Sequence, residues 1–198
     1  MQRIFVYLCA MKSLLSILYS SGNTVFSTQE MRLLTQGLIS DMALSSRLSR
    51  MVKRGDLLRL RSGIYGLPSY STLEFANKIQ VPSYISMETV LRMNGVIFQY
   101  DNTITLVSYQ TKTIYASTEE VFVFRKIANS ILMRKEGKII TPKYTIATLE
   151  RAFLDLCYVD KWRTYENITP LDKKKVIDLL PLYSNSALTK RVSNILSL

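Results

Sequence analysis

The stretch 44–67 constrains the fold more than any other part of the chain, because an amphipathic helix there is followed by a short apolar hairpin. The helix is indicated by apolar residues at the spacing of one buried face, namely Leu44, Leu48, Met51 and Val52. Gly55 follows at the position where a left-handed residue commonly ends a helix. Short apolar runs on both sides of Arg61-Ser62-Gly63 then predict two strands joined by a tight turn.

Two further helices are predicted upstream of this stretch. Residues 12–20 have apolar side chains at helical spacing, and Gly22 follows them. Ser27 and Glu30 are spaced as a capping box, in which the serine side chain accepts from the Glu30 amide and the glutamate reaches back. We therefore expect a second helix that begins after Ser27 and ends at Gly37.

The polar face of the third helix and the hairpin beside it are rich in basic residues. Between Arg47 and Arg61 there are six basic residues and one acid, Asp56. Three short helices followed by a basic hairpin predict a winged helix-turn-helix domain, whose third helix enters the major groove of DNA. The residues expected to contact bases or phosphates are Ser45, Ser46, Arg47, Ser49, Arg50, Lys53, Arg54, Arg59, Arg61 and Ser62.

Two other interpretations of this basic region stay open. Lys and Arg often cover an exposed helix face only for solubility, and winged helices also serve as protein-binding modules. The periodicity alone does not separate these cases, since most partly buried helices show it. The order of the elements is the more specific signal, and it favours DNA binding.

The charge of the whole chain points to a polyanionic partner. Lys and Arg number 26 against 15 Asp and Glu, which gives a formal net charge of +11. Such a charge attracts nucleic acid first and anionic membranes second. The chain has no histidine, so the usual general base and the commonest metal ligand are missing. We expect neither a metal nor another cofactor.

The cysteines and the N-terminal segment indicate a cytoplasmic protein. Cys9 and Cys157 fit no redox or zinc motif, and we expect both thiols to be reduced and structural. Lys12 interrupts the first apolar run, which therefore predicts a helix rather than a signal peptide. No stretch approaches the roughly 20 apolar residues of a membrane span. Met11 offers an alternative start, which would leave residues 1–10 outside the folded unit.

The second half of the chain predicts a separate domain, so that the whole has an α+β fold. Residues 96–125 are rich in Thr, Val, Ile and Tyr and predict an antiparallel sheet, to which 139–141 add a strand. With a linker at 68–72, the chain divides into a winged helix-turn-helix domain, 1–70, and a mixed α/β domain, 71–198. The helices predicted for the second domain, the last two of which close it, are 73–79, 86–95, 145–158, 173–180 and 187–196.

Glu150, Arg151 and Asp155 raise the question of catalysis, but their spacing favours a structural role. Glu150 and Asp155 are about 140° apart on a helix and do not share a face. We expect an ion pair or hydrogen bond that positions this helix rather than acid–base chemistry. With no histidine and no phosphate-binding glycine loop, the chain is not expected to be an enzyme. The alternative is a nuclease or nucleotide-transferring domain in the second half.

A run of lysines and two tyrosines could contact nucleic acid, although residues of these kinds more commonly have other roles. The basic run 173–175 is typical of a solvated face, and an extension of the nucleic-acid contact surface is the alternative. Tyr84 and Tyr100 are candidates to stack on unpaired bases, although tyrosines more often pack partly buried.

Three segments, in this order along the chain, resemble a known family. The first is GLISDMALSSRLSRMVKRGDLLRLRSGIYGLP (37–68), with Arg54-Gly55 after its helix and Arg61-Ser62-Gly63 in its turn. The others are PSYISMETVLRMNGVI (82–97) and YTIATLERAFLDLCYV (144–159). Their order and spacing are similar to those of the AbiEi-type antitoxins, the transcriptional-regulator halves of type IV toxin–antitoxin systems.

The resemblance implies a two-part protein of an abortive-infection system. Its N-terminal domain would bind inverted repeats in its own promoter as an autorepressor, and oligomerisation on the DNA is compatible with this role. Its C-terminal domain would oppose a nucleotidyltransferase-like toxin without forming a stable complex with it. The alternatives are a protein-interaction module or a transcriptional regulator without a toxin partner. Residues 161–198 lie outside the resemblance.

Overall fold

The computed structural model describes residues 14–35, 39–99, 102–116 and 120–197. Helices and strands both contribute, which confirms the α+β class. The chain forms two compact units, one that extends to Lys78 and one that begins at Ile79. The positions named above that lie outside the described residues are Cys9, Met11, Lys12, Gly37 and Tyr100, together with residues 1–10.

The first unit combines short helices with a small antiparallel sheet. Its core is formed by the apolar faces of the helices and by residues in or next to the strands, namely Leu14, Leu18, Phe26, Met31, Leu44, Leu48, Met51, Leu57 and Leu67. Its elements are α1 (Leu14–Ser20), β1 (Val25–Ser27), α2 (Thr28–Leu34), α3 (Asp41–Arg54), β2 (Leu58–Arg61), β3 (Ile64–Gly66) and α4 (Thr72–Ile79).

The predicted start of α2 and the predicted end of α3 are confirmed, whereas α2 ends at Leu34, with Thr35 as its C-cap residue, and not at Gly37. Ser27 accepts a hydrogen bond from the Glu30 amide at 3.1 Å, and the Glu30 carboxylate accepts from the Ser27 amide at 2.7 Å. Gly55 ends α3 with φ of 79°, a left-handed conformation that residues with a Cβ rarely adopt. These ends depend on a few neighbouring residues, which is why the sequence predicts them well.

Strand β1 is an element that the sequence did not predict. It has three residues, too few for a visible alternation of apolar and polar side chains. It pairs antiparallel with β3, so that β3 lies between β1 and β2 in the sheet of the first unit. The predicted hairpin is confirmed as the β2–β3 pair.

The predicted linker and domain boundary differ from what the structure shows. The division falls after Lys78 rather than after residue 70, so that most of α4 belongs to the first unit. The cause is Glu74 of α4, which is fully buried and accepts hydrogen bonds from the Thr24 amide at 2.9 Å and the Val25 amide at 3.1 Å. These bonds satisfy the backbone beside β1 and hold α4 against the first unit.

The second unit is organised around a larger mixed sheet. Its strands are β4 (Ser83–Ile85), β5 (Thr103–Ser108), β6 (Lys112–Tyr115), β7 (Val121–Lys126), β8 (Lys138–Ile140) and β9 (Thr145–Ala147), in the spatial order β6-β7-β5-β4-β9-β8. The β5–β7 and β4–β9 pairs are parallel, so the expectation of a wholly antiparallel sheet is corrected. Strand composition indicates strands but not their partners, which is why the pairing was missed.

The helices of the second unit are α5 (Glu88–Met93), α6 (Asn129–Leu132), α7 (Leu149–Val159), α8 (Lys173–Leu179) and α9 (Ser186–Leu196). The predicted helix 145–158 begins later, because 145–147 form β9 and Thr148 is the N-cap residue. Helix α7 is buried on all sides from Glu150 to Cys157, whereas one buried face was expected. The two closing helices, α8 and α9, are confirmed.

Candidate nucleic-acid interface

Helix α3 turns one face to the core of the first unit and the opposite face to solvent. Leu44, Leu48 and Met51 are at most 5% exposed. At about 100° per residue, Ser46, Arg50 and Lys53 lie within about 60° of one another on the opposite side. The apolar stripe therefore orients the polar face outward.

Nine of the ten residues predicted to contact DNA are exposed, and Arg47 is half-buried. Ser45 is exposed but lies only about 60° from Leu48 around the helix, near the buried face. It is therefore less well placed than Ser46. The exposed residues are Ser45, Ser46, Ser49, Arg50, Lys53 and Arg54 on α3, Arg59 and Arg61 on β2, and Ser62 in the turn that follows.

The hairpin presents an arginine on each side of a buried leucine, and the pairing of β2 with β3 shifts register between Arg59 and Arg61. Leu60 is 3% exposed, whereas Arg59 and Arg61 on either side of it are exposed. Gly63 has φ of 75° in the turn, and its carbonyl accepts a hydrogen bond from the Thr28 amide at 2.9 Å. Because Thr28 is the first residue of α2, this bond fixes the hairpin to the helices.

Two of these cations already have partners within the first unit. Arg54 forms an ion pair with Asp56 at 2.6 Å, and Arg50 Nε donates to the Ser46 carbonyl at 3.3 Å. Within the part of the chain that the structure describes, Lys53, Arg59 and Arg61 have no carboxylate at ion-pair distance. These three residues are therefore the cations most available to a phosphate.

The N-terminus of α3 is poorly suited to binding a phosphate. Ser40 caps it by accepting from the Ala43 amide at 3.3 Å, and Asp41 brings a negative charge into the first turn. Asp41 is paired with Arg32 of α2 at 2.8 Å, and both side chains are more than half exposed. Arg32 is an exposed cation next to α3 that was not predicted as a site residue, because no local sequence pattern connects it to this helix.

In the second unit, Arg151 and Asp155 form a buried ion pair, which agrees with the structural role expected for them. Arg151 Nε lies 3.1 Å from Asp155 Oδ1, and both side chains are 0% exposed. Asp155 also accepts hydrogen bonds from Tyr84 at 2.9 Å, Ser86 at 2.8 Å and Tyr183 at 2.6 Å. Together these bonds tie α7 to β4 and to the residues that follow α8.

Burial and the charges of Arg151 and Asp155 together shift the pKa values in this network. It raises the pKa of the Tyr84 and Tyr183 hydroxyls well above their usual values, and the Asp155 carboxylate raises them further. Burial acts to lower the pKa of Arg151, but Asp155 and the tyrosines outweigh it, so that the pKa is raised. The tyrosines therefore stay neutral and Arg151 stays charged. Because Tyr84 is 1% exposed, its suggested stacking on bases is corrected.

Cys157 and the lysine run behave as structural and surface features. Cys157 is a free, buried thiol whose Sγ lies 3.1 Å from the Tyr165 hydroxyl, and burial raises its pKa to about 11. Residues 173–175 are exposed, and Lys175 lies 3.5 Å from Asp172. Exposure of this run is compatible both with a solvated face and with an extension of the nucleic-acid contact surface.

Among the described residues, no three Cys, Asp or Glu side chains are grouped so that they could hold a metal ion. None of the helices in the described ranges is long and apolar enough to cross a membrane. Comparison with models of protein families and with curated proteins returns no significant match.

Proposed function

We propose that the first unit is a winged helix-turn-helix domain that binds double-stranded DNA. The observation that carries this proposal is the exposure of a basic helix face beside a basic hairpin, both held on one core. Helix α3 has 14 residues and is about 21 Å long, a length that fits along a major groove. Its outward residues, Ser46 and Arg50, are the proposed base-reading side chains, whereas Arg59 and Arg61 contact phosphates.

The resemblance to AbiEi-type antitoxins extends this proposal to a biological role. We infer a cytoplasmic autorepressor that binds inverted repeats in its own promoter and opposes a nucleotidyltransferase-like toxin. A regulator without a toxin partner is the alternative, and the gene beside this one distinguishes the two. We expect that gene to encode a nucleotidyltransferase-like protein, and an unrelated neighbour would favour the alternative.

Binding to the upstream DNA tests the proposed function directly. Fluorescence anisotropy with the promoter fragment and with a scrambled fragment, each over a range of salt concentrations, measures affinity and its salt dependence. The logarithm of the binding constant should fall linearly with the logarithm of salt, by about 0.9 for each phosphate contacted. Equal affinity for the two fragments would contradict a specific repressor, and no binding to either would leave the protein-interaction module.

Two kinds of substitution separate phosphate contacts from base contacts. Arg61→Ala should weaken binding to both fragments and reduce the salt slope by about 1. Arg50→Ala should instead reduce the preference for the promoter fragment, because its side chain is proposed to contact base edges. Lys112→Ala, an exposed lysine of the second unit, is the charge-matched control. A similar loss in this control would mean that only net charge matters.

A further inference from the structure

The second unit contains a pocket with a basic lining, which we call the Lys138 pocket. It has a volume of about 190 Å³. Three of its lining side chains are cationic, and none is a carboxylate. The residues that define it are Ser83, Tyr84, Arg134, Lys135, Lys138 and Thr145.

Lys138 is the most deeply placed of the three cations. Its Nζ lies 4.0 Å from the centre of the Tyr84 ring, and it donates a hydrogen bond to the Leu132 carbonyl. Both partners are neutral groups, and within the described ranges no carboxylate lies at ion-pair distance from this ammonium. A partly buried charge of this kind gains free energy from an anionic partner.

The neighbouring charges do not supply that partner. Asp155 is already bound to Arg151 and accepts from three hydroxyls, so its charge is compensated within the buried network. Glu136 lies 3.6 Å from Arg134, and both of these side chains are at least half exposed. Exposed pairs of this kind contribute little free energy, so an anion in the pocket competes with Glu136 for Arg134 at small cost.

The size of the pocket limits the ligand. A volume of about 190 Å³ is several times the roughly 30 Å³ that one water occupies in the liquid. It is smaller than the roughly 300–1,000 Å³ of most pockets for drug-sized ligands. The Tyr84 ring is already covered by Lys138 and is not available to stack on a base. These features suit a compact oxyanion with little attached to it.

We propose that the Lys138 pocket binds a small phosphate-bearing anion, either free phosphate or the phosphate group of a small monoester. Lys138 contacts the anion from the inner side, and Arg134 and Lys135 contact it from the exposed side. Lysine and arginine N–H groups form short, strong hydrogen bonds to phosphate oxygens. The site belongs to the second unit and is separate from the proposed DNA interface.

The proposed site has a characteristic pH dependence. Burial, and then the Arg151 guanidinium, lower the pKa of Lys138 to about 8, while Asp155 and Glu136 partly oppose this shift. Lys138 therefore loses its proton as the pH rises through about 8, and anion affinity should fall over the same range. Bound anion favours the protonated amine, so binding should take up protons near pH 8. Sulfate is a suitable probe here because it stays divalent across this range.

Isothermal titration calorimetry of the full chain tests the proposal with three probes: inorganic phosphate, sulfate and the small monoester glycerol 3-phosphate. We expect saturable binding that Lys138→Met weakens about tenfold or more, because a charge-assisted contact is lost. Lys143→Gln, an exposed lysine that does not line the pocket, should leave the affinity unchanged. Tighter binding of glycerol 3-phosphate than of phosphate would identify a small monoester as the ligand, and the reverse would identify free phosphate.

Three results would overturn the proposal: no saturable binding of any probe, equal weakening by Lys143→Gln, or sulfate affinity that does not change between pH 7 and pH 9. Binding of a random-sequence DNA duplex at the pocket, without binding of the small anions, would overturn it as well. If Lys138→Met does not fold, Arg134→Gln decides, since this side chain is 58% exposed and should weaken phosphate binding several-fold. None of these titrations uses promoter DNA, so their failure is distinguishable from failure of the proposed DNA binding.

Discussion

The buried pair of Arg151 and Asp155 allows a quantitative prediction for Arg151→Met. The substitution keeps most of the side-chain length but removes the only cation at ion-pair distance from Asp155 among the described residues. It also removes hydrogen bonds of 2.9 Å each to the carbonyls of Ile131 and Glu136. What remains is a fully buried carboxylate that still accepts bonds from three hydroxyls but has no compensating charge.

The expected loss of stability is large. Removing one partner of a buried ion pair typically costs about 3–5 kcal/mol. The free energy of unfolding of a whole domain is only about 5–15 kcal/mol, so the second unit should lose about a fifth of its stability or more. The double variant Arg151→Met, Asp155→Leu removes both charges and should recover much of the loss, because an apolar replacement of a buried pair is often neutral.

Urea unfolding followed by circular dichroism measures these losses in the full chain. Hydrogen exchange of the α7 amides assigns them to the second unit, because this helix carries both residues. Lys175→Met is the matched control. It removes a cation from an exposed pair 3.5 Å apart and should cost no more than about 1 kcal/mol.

Two results would contradict this reasoning. If Arg151→Met cost less than about 1 kcal/mol, the pair would not hold α7 in place as its geometry indicates. If Arg151→Met abolished the proposed antitoxin activity while the α7 amides kept their protection, a role in chemistry would have to replace the structural one. That outcome would favour the enzyme alternative for the second unit.

Two further predictions concern the two units separately. Leu48→Ala should destabilise the first unit by about 2–5 kcal/mol, because Leu48 is 1% exposed in its core. Thermal unfolding measures this loss, and an unchanged midpoint would contradict the orientation of α3. In a Cys9→Ser variant, Cys157 should react with a thiol reagent at pH 8 only as fast as the protein opens, since burial raises its pKa to about 11. Reaction as fast as in urea would show that this thiol is accessible.

Features that depend on neighbouring residues were predictable from the sequence. The capping box of Ser27 and Glu30, the helix end at Gly55 and the β2–β3 hairpin each arise within a few positions. The exposed basic residues of α3 also follow from local spacing, because a stripe that begins at Leu44 orients the rest of the helix. The composition of the whole chain indicated its basic character and its α+β class.

Features that depend on distant partners required the tertiary structure. The parallel pairing of β5 with β7 was not visible, because Thr- and Val-rich strands suit either direction. The position of α4 depends on Glu74, whose partners at Thr24 and Val25 lie about 50 residues earlier. A glutamate in a helix ordinarily indicates a solvated face, and its burial here is explained by the Thr24 hydroxyl and the two backbone amides that donate to it.

The sequence alone therefore determined the three helices and the hairpin of the first unit in their order, the ends of several helices and the concentration of positive charge between Arg47 and Arg61. The tertiary structure decided which charges are compensated. It surrounds Asp155 with Tyr84, Arg151 and Tyr183, and it leaves Lys138 without an anion at ion-pair distance among the described residues. The physical reason is that helix ends and amphipathic faces depend on adjacent residues. The free energy of a buried charge depends on which distant segments the fold brings around it.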